Sequence, residues 1–171
     1  MSKRFLVLGS LFFGLVAMAP LAWSMNYTSS QDHKMLILDN GVQAFSERLR
    51  MIDEAKDHIY LEYFIFSPHK TTEILVRKLI QKAEQGVDVR ILLDRSFAMH
   101  FDDFFAAHLQ AHGVKVRFYN DVSMLRIIEA QFRNHRKLIS VDGNQAIVGG
   151  RNIENDYYDL PGNYQYRDRD I

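Results

Sequence analysis

His135-Arg136-Lys137-Leu138-Ile139-Ser140-Val141-Asp142-Gly143-Asn144-Gln145-Ala146-Ile147-Val148-Gly149-Gly150-Arg151-Asn152 holds two short apolar runs on either side of a turn sequence. Asp142-Gly143-Asn144 is turn chemistry, and the β-branched runs beside it predict two antiparallel strands, so the stretch reads as a hairpin. Alternate side chains of a strand share a face, which puts His135 and Lys137 on one side. Gly149-Gly150 lets backbone amides come close to a ligand, and Asn152 adds an uncharged amide donor. An imidazole nucleophile, with an ammonium and amides to hold anionic oxygens, suits phosphoryl transfer that needs neither a metal nor a cofactor.

Working outward, Val42, Phe45, Leu49 and Ile52 recur at helical spacing, and Ile59 to Phe66 is a dense β-branched and aromatic strand. Thr71 or Thr72 is placed to cap a second helix that buries Ile74, Leu75, Leu79, Ile80 and Ala83 and ends at Gly86. Val87 to Leu93 predicts a buried strand, and Asp94 behind it reads as a turn or cap residue. Phe101 to His112 predicts a helix closed by Gly113, and Val114 to Tyr119 a short strand. The order β-α-β-α-β followed by the hairpin gives an α/β fold with a mixed, mostly parallel sheet flanked by helices. His100, Asp102, Asp103, His108 and His112 share their helix with Phe101, Phe104, Phe105 and Leu109, and read as a solvated helix face rather than metal ligands. Tyr157, Tyr158, Tyr164 and Tyr166 fit either loop packing or an amphipathic lid near lipid.

The 171 residues include no cysteine, and the formal charge is +0. Lys3-Arg4 precede an apolar run from Phe5 to about Ala19, and Ala22-Trp23-Ser24 offers a cleavage pattern, so residues 1–24 read as a signal peptide. An uncleaved anchor is the alternative. Either implies export, to the periplasm or beyond, with possible attachment to the inner membrane. Lys3 and Arg4 are the only charges among those 24 residues, so the formal charge of the rest is −2. That balance gives no footprint for nucleic acid. Residues 35–171 form one domain's worth of chain.

The spacing His135-x-Lys137-x4-Asp142-x6-Gly149-x2-Asn152 resembles the HKD signature of the phospholipase D superfamily. The Gly149-Gly150 step, with Asn152-Ile153 after it, is similar to the cardiolipin synthase branch. Further likeness runs through Glu62, Gly86-Val87-Asp88-Val89-Arg90 and Leu92-Leu93-Asp94, covering nearly everything after about residue 35. The resemblance implies a phospholipase D-like half-domain in which His135 attacks phosphorus to give a phosphohistidine. Lys137, Gly150 and Asn152 would hold the phosphate, and Asp142 would complete the motif as a catalytic residue or as a brace for Lys137 or the turn. Glu62, Asp168 and Asp170 are supporting candidates, the last two as orienting partners of the histidine. It also implies a phospholipid substrate at a membrane surface and a second HKD motif opposite the first.

Only one copy of the motif is present. The second comes from homodimerisation or from a missing C-terminal half, and Tyr166 to Ile171 resembles the start of the strand that follows the motif in relatives, which favours an incomplete domain. A homodimeric metal-independent endonuclease and an inactive, truncated lipid-binding remnant are the alternative readings.

Overall fold

A computed structural model describes residues 27–30, 33–95, 103–120, 131–160 and 164–171. The expected export segment 1–24 and the beginning of the helix expected from Phe101 lie outside them. Among the described residues no helix is long and apolar enough to cross a membrane.

The strand pattern of the sequence is realised as a five-stranded sheet in the order β5-β4-β3-β6-β7. β3 (His58–Tyr63), β4 (Asp88–Asp94) and β5 (Lys115–Tyr119) run parallel, whereas β6 (Leu138–Val141) and β7 (Gln145–Val148) form the antiparallel hairpin docked on β3. Register aligns one apolar row across all five strands: Val116, Ile91, Leu61, Ile139 and Ile147. Each is at most 3% exposed, so a one-residue slip of any strand would turn its core residues outward. A separate hairpin of β1 (Tyr27–Ser30) and β2 (His33–Leu36) precedes the sheet.

Helices α1 (Gly41–Glu54), α2 (Lys70–Glu84) and α3 (Asp103–Ala111) bury their inner residues in one core with that row. Asn40 caps α1, its side-chain oxygen accepting the Gln43 amide at 2.9 Å. The buried face of α1 is Ala44, Arg48, Met51 and Ile52, rotated from the expected Val42-Phe45-Leu49-Ile52 stripe, and Val42 is exposed. Burying Arg48 rather than Val42 is possible because its guanidinium is fully partnered, as described below. α2 also differs from expectation: His69 occupies the cap position, and neither Thr71 nor Thr72 caps the helix. Thr71 Oγ1 donates to Asn155 Oδ1, and Thr72 Oγ1 to the carbonyls of Ser67 and Ile153. The two threonines therefore tie α2 to the segment that follows the motif. Gly86, at φ +94°, ends α2 in the left-handed region as expected.

Candidate active site

The site forms at the carboxyl ends of β3 and β4, the edge at which open α/β sheets collect their ligands. β6 pairs antiparallel with β3 so that Leu138 lies opposite Glu62, and the residues just before it are delivered to that edge. Exposed His135 places Nδ1 3.0 Å from Nζ of buried Lys137, and the same ammonium donates to the His135 carbonyl at 2.8 Å. Phe64 backs both groups, its ring centroid 4.4 Å from the imidazole and 5.1 Å from Nζ. Burial pulls the Lys137 pKa below the ordinary lysine value, and the nearby Asp168 carboxylate opposes that effect. A hydrogen bond donated by the Lys137 ammonium to Nδ1 would require the ring hydrogen to sit on Nε2.

Beside His135 a groove of about 400 Å³ is lined by Glu62, Leu92, Tyr119, Arg133 and Arg136. Arg136 is exposed and lies 3.7 Å from half-buried Glu62. Glu62 is therefore at the site, through the side chain of Asn134 as well as Arg136.

Several of the other residues expected at the site are engaged elsewhere. Asp142 sits at the far end of β6, in the hairpin turn, and accepts the backbone amides of Lys56, Asp57 and His58 at 2.9 Å each. It is not beside His135 or Lys137. It ties the turn to the entrance of β3, because a carboxylate can satisfy several amides that precede a strand. The Gly150 amide donates to the Arg169 carbonyl, and that of Gly149 to the Lys137 carbonyl. Neither glycine presents a free amide to a phosphate. Their smallness serves close approach instead: a Cβ on Gly150 would lie 1.9 Å from Asp168 Oδ1, and one on Gly149 2.1 Å from Asp170 Oδ1. Asn152 is 2% exposed, its oxygen accepting the Ile65 amide and its nitrogen donating to the Tyr157 hydroxyl. It joins β7's continuation to the end of β3 and is closed to a ligand in this arrangement.

The two C-terminal acids part company. Asp168 stands over Gly150 near Lys137. Asp170 is fully buried and accepts from Arg48 at 2.9 Å and Arg151 at 3.3 Å. It has two guanidiniums and no imidazole, which corrects its expected role as a histidine partner. Tyr157 stacks on Tyr166 and Tyr158 is buried against Phe45, so Tyr157 and Tyr158 are loop packing, whereas Tyr164 and Tyr166 are exposed. Of the surface acids and histidines around α3, Asp103 pairs with Arg95 and His112 with Glu84. Among the described residues no metal-binding group of His, Asp and Glu is gathered.

Sequence reasoning missed Phe64, read only as part of a core strand, and also Asn134 and the role of Asp94. Asn134 precedes the motif without belonging to it, and its importance rests on partners 40 and 72 positions away.

A family model described as cardiolipin synthase, PLD-like domain matches residues 49–164. A cardiolipin synthase of Geobacillus kaustophilus is 36% identical over 122 residues, 71% of this chain and 24% of that protein. The chain thus spans about a quarter of the length of the curated relatives it matches. Among solved structures, the phosphatidylserine synthase of Haemophilus influenzae superposes with a TM-score of 0.66 at 17% identity, over 86% of this chain and 35% of that one. NucT from Helicobacter pylori superposes at 0.56 and 16% identity over 75% of each chain. Both likenesses concern the fold. With the family model spanning the motif, the sheet and most of the described residues, this chain belongs to the phospholipase D superfamily, in its cardiolipin synthase-like branch.

Proposed function

We infer that the chain is one HKD half of a phospholipid phosphodiesterase or phosphatidyltransferase working through a phosphohistidine. The observation that carries this is the His135–Lys137 pair, 3.0 Å apart at the carboxyl edge of the sheet with a phenyl ring behind it. The names of the curated relatives support a phospholipid as substrate.

In this reading the phosphodiester enters along the groove beside His135, and its anionic oxygens draw the Lys137 ammonium off Nδ1. That step matters because attack through Nε2 needs its lone pair free: once the ammonium leaves Nδ1, the ring exchanges its proton with solvent, losing it from Nε2 and taking one up on Nδ1. Nε2 then forms a bond to phosphorus as the bond to the leaving alkoxide breaks. The alkoxide takes a proton from the histidine of a second motif, which this chain has only from another copy or from further residues. The same second histidine then removes a proton from the acceptor hydroxyl, which attacks phosphorus and frees His135. Water as acceptor gives hydrolysis and an alcohol gives transphosphatidylation. An export segment would bring the domain to a membrane surface, where its substrate lies.

The homodimeric endonuclease is the second reading, favoured by the single copy of the motif in this sequence, which a second copy of the chain would complete. One experiment addresses the nucleophile. The chain is incubated with an anionic glycerophospholipid labelled at phosphorus and resolved under denaturing conditions. An acid-labile label is expected on the wild type and none on folded His135→Ala; label retained on His135→Ala overturns the assignment. Metal-independent DNA cleavage by a sedimenting dimer, with no lipid turnover, would select the second reading.

A further inference from the structure

The segment that delivers His135 is irregular, with no strand or helix to fix it between residues 132 and 137. Its geometry comes from Asn134. The Asn134 side-chain oxygen accepts the Arg136 amide at 3.2 Å, closing an Asx turn with His135 at its centre. The Asn134 side-chain nitrogen donates to Glu62 Oε2 at 3.3 Å, at the end of β3. The Asn134 amide donates to Asp94 Oδ2 at 3.0 Å, at the end of β4. Asp94 is fully buried and also lies 3.6 Å from the Arg133 guanidinium. One asparagine therefore spans the tips of two neighbouring parallel strands and folds the backbone around the imidazole-bearing residue.

We propose that Asn134 is a positioning residue for His135: its Asx turn, seated on Asp94 and Glu62, sets the imidazole against Phe64 and Lys137. Asp94 in turn is the buried anchor of that loop rather than a turn or cap residue. The arrangement suits a nucleophile that must lie within a few tenths of an ångström of its line of attack, since misplacement by about 1 Å costs on the order of a hundredfold in rate. It rests on the reading of His135 as the attacking group only where rate is concerned; the placement of the ring is separately observable.

The test compares Asn134→Ala with Asn134→Ser in the full chain. Serine restores an oxygen acceptor for the Arg136 amide, while alanine removes it. In wild type, the His135 ring protons lie close enough to the Phe64 face for an aromatic ring-current displacement in proton NMR. Asn134→Ala is expected to collapse that displacement toward the value of an unconstrained histidine, with the thermal midpoint nearly unchanged, and Asn134→Ser to recover most of it. In parallel, the rate of phosphoryl capture should fall about tenfold to a hundredfold in the alanine variant at unchanged KM, and recover in the serine variant. Wild-type ring shifts in folded Asn134→Ala would overturn the proposal whatever the activity. Ring shifts that respond as expected, with no capture by any variant, wild type included, would uphold the positioning and count against phosphoryl capture by this chain without a second motif. An equal loss of thermal stability and ring shift in both variants would show a structural role only, and would also overturn it.

Discussion

At the scale of single residues, the motif separates into members that touch the site and members that build it. His135 and Lys137 touch it; Asp142, Gly150 and Asn152 hold backbone in place. This division could not be read locally, because a turn aspartate, a glycine pair and an asparagine have the same sequence signature whether they face a ligand or a neighbouring strand. Gly150 is the sharpest case. A Cβ there would meet the carboxyl group of Asp168 at 1.9 Å, so Gly150→Ala displaces a carboxylate whose charge favours the ammonium form of Lys137. The expected result is a loss of about 1–3 kcal/mol in urea denaturation together with impaired phosphoryl capture. Asp142 predicts the opposite pairing of effects. Desolvation would raise its pKa, yet its hydrogen bonds to the amides of residues 56–58 hold it below the ordinary carboxylate value. A carboxyl group depressed in the folded state stabilises above its unfolded pKa of about 3.9 and loses that contribution as pH falls through the folded value. Asp142→Ala should cost about 1–2 kcal/mol at neutral pH, allowing for its partial exposure, and the gap to wild type should narrow below about pH 4. Denaturation curves at pH 7 and pH 3 check this, and an undiminished gap in acid would rule out the carboxylate as its source.

At the scale of elements, the hairpin of β6 and β7 was legible, because turn residues stand between two β-branched runs. The shared strand face expected for His135 and Lys137 was not realised: both precede β6, with His135 exposed and Lys137 buried. The turn between β6 and β7 takes two left-handed residues, Asp142 at φ +50° and Gly143 at φ +69°. Gly143→Val forces a β-branched side chain into that conformation and should lower stability by about 1–2 kcal/mol. Phosphoryl capture should be unaffected, since the turn lies at the opposite end of β6 from His135. A thermal melt and a labelling assay separate the two effects. The faces of the helices were less legible. In α1 the apolar stripe pointed to Val42 and Leu49, but Arg48 is buried there while Val42 is exposed, because Tyr63, the Ala44 carbonyl and Asp170 satisfy the guanidinium. No helical periodicity contains that information, since the partner that makes burial tolerable stands 122 positions further along the chain.

At the scale of the whole molecule, Asp170 is the node that joins parts of the chain that no local pattern relates. Its carboxylate takes the guanidiniums of Arg48 and Arg151 and the Arg151 amide, and its backbone pairs with Leu38 in both directions. Arg151 continues the network to the carbonyls of Leu38, Asp39 and Tyr157. The residues before α1, α1 itself, the continuation of β7 and the 168–171 segment thus meet in one buried polar cluster. Tyr158, packed against it, contrasts with these groups: its hydroxyl has no hydrogen-bond partner among the described residues. Tyr158→Phe keeps the ring and the Arg48 contact while removing that orphaned group, and should be neutral or stabilising by about 1 kcal/mol. Asp170→Ala does the reverse. It leaves two buried guanidiniums facing each other without their carboxylate, a situation that costs about 3–5 kcal/mol in comparable buried pairs. Much of a domain's stability would go with it, and the loss should appear as a large fall in the urea midpoint and early exchange of the Leu38 amide, which donates to the Asp170 carbonyl. A variant that remained as stable as wild type would mean the guanidiniums find other counter-charges, and that the cluster is not what ties these segments together.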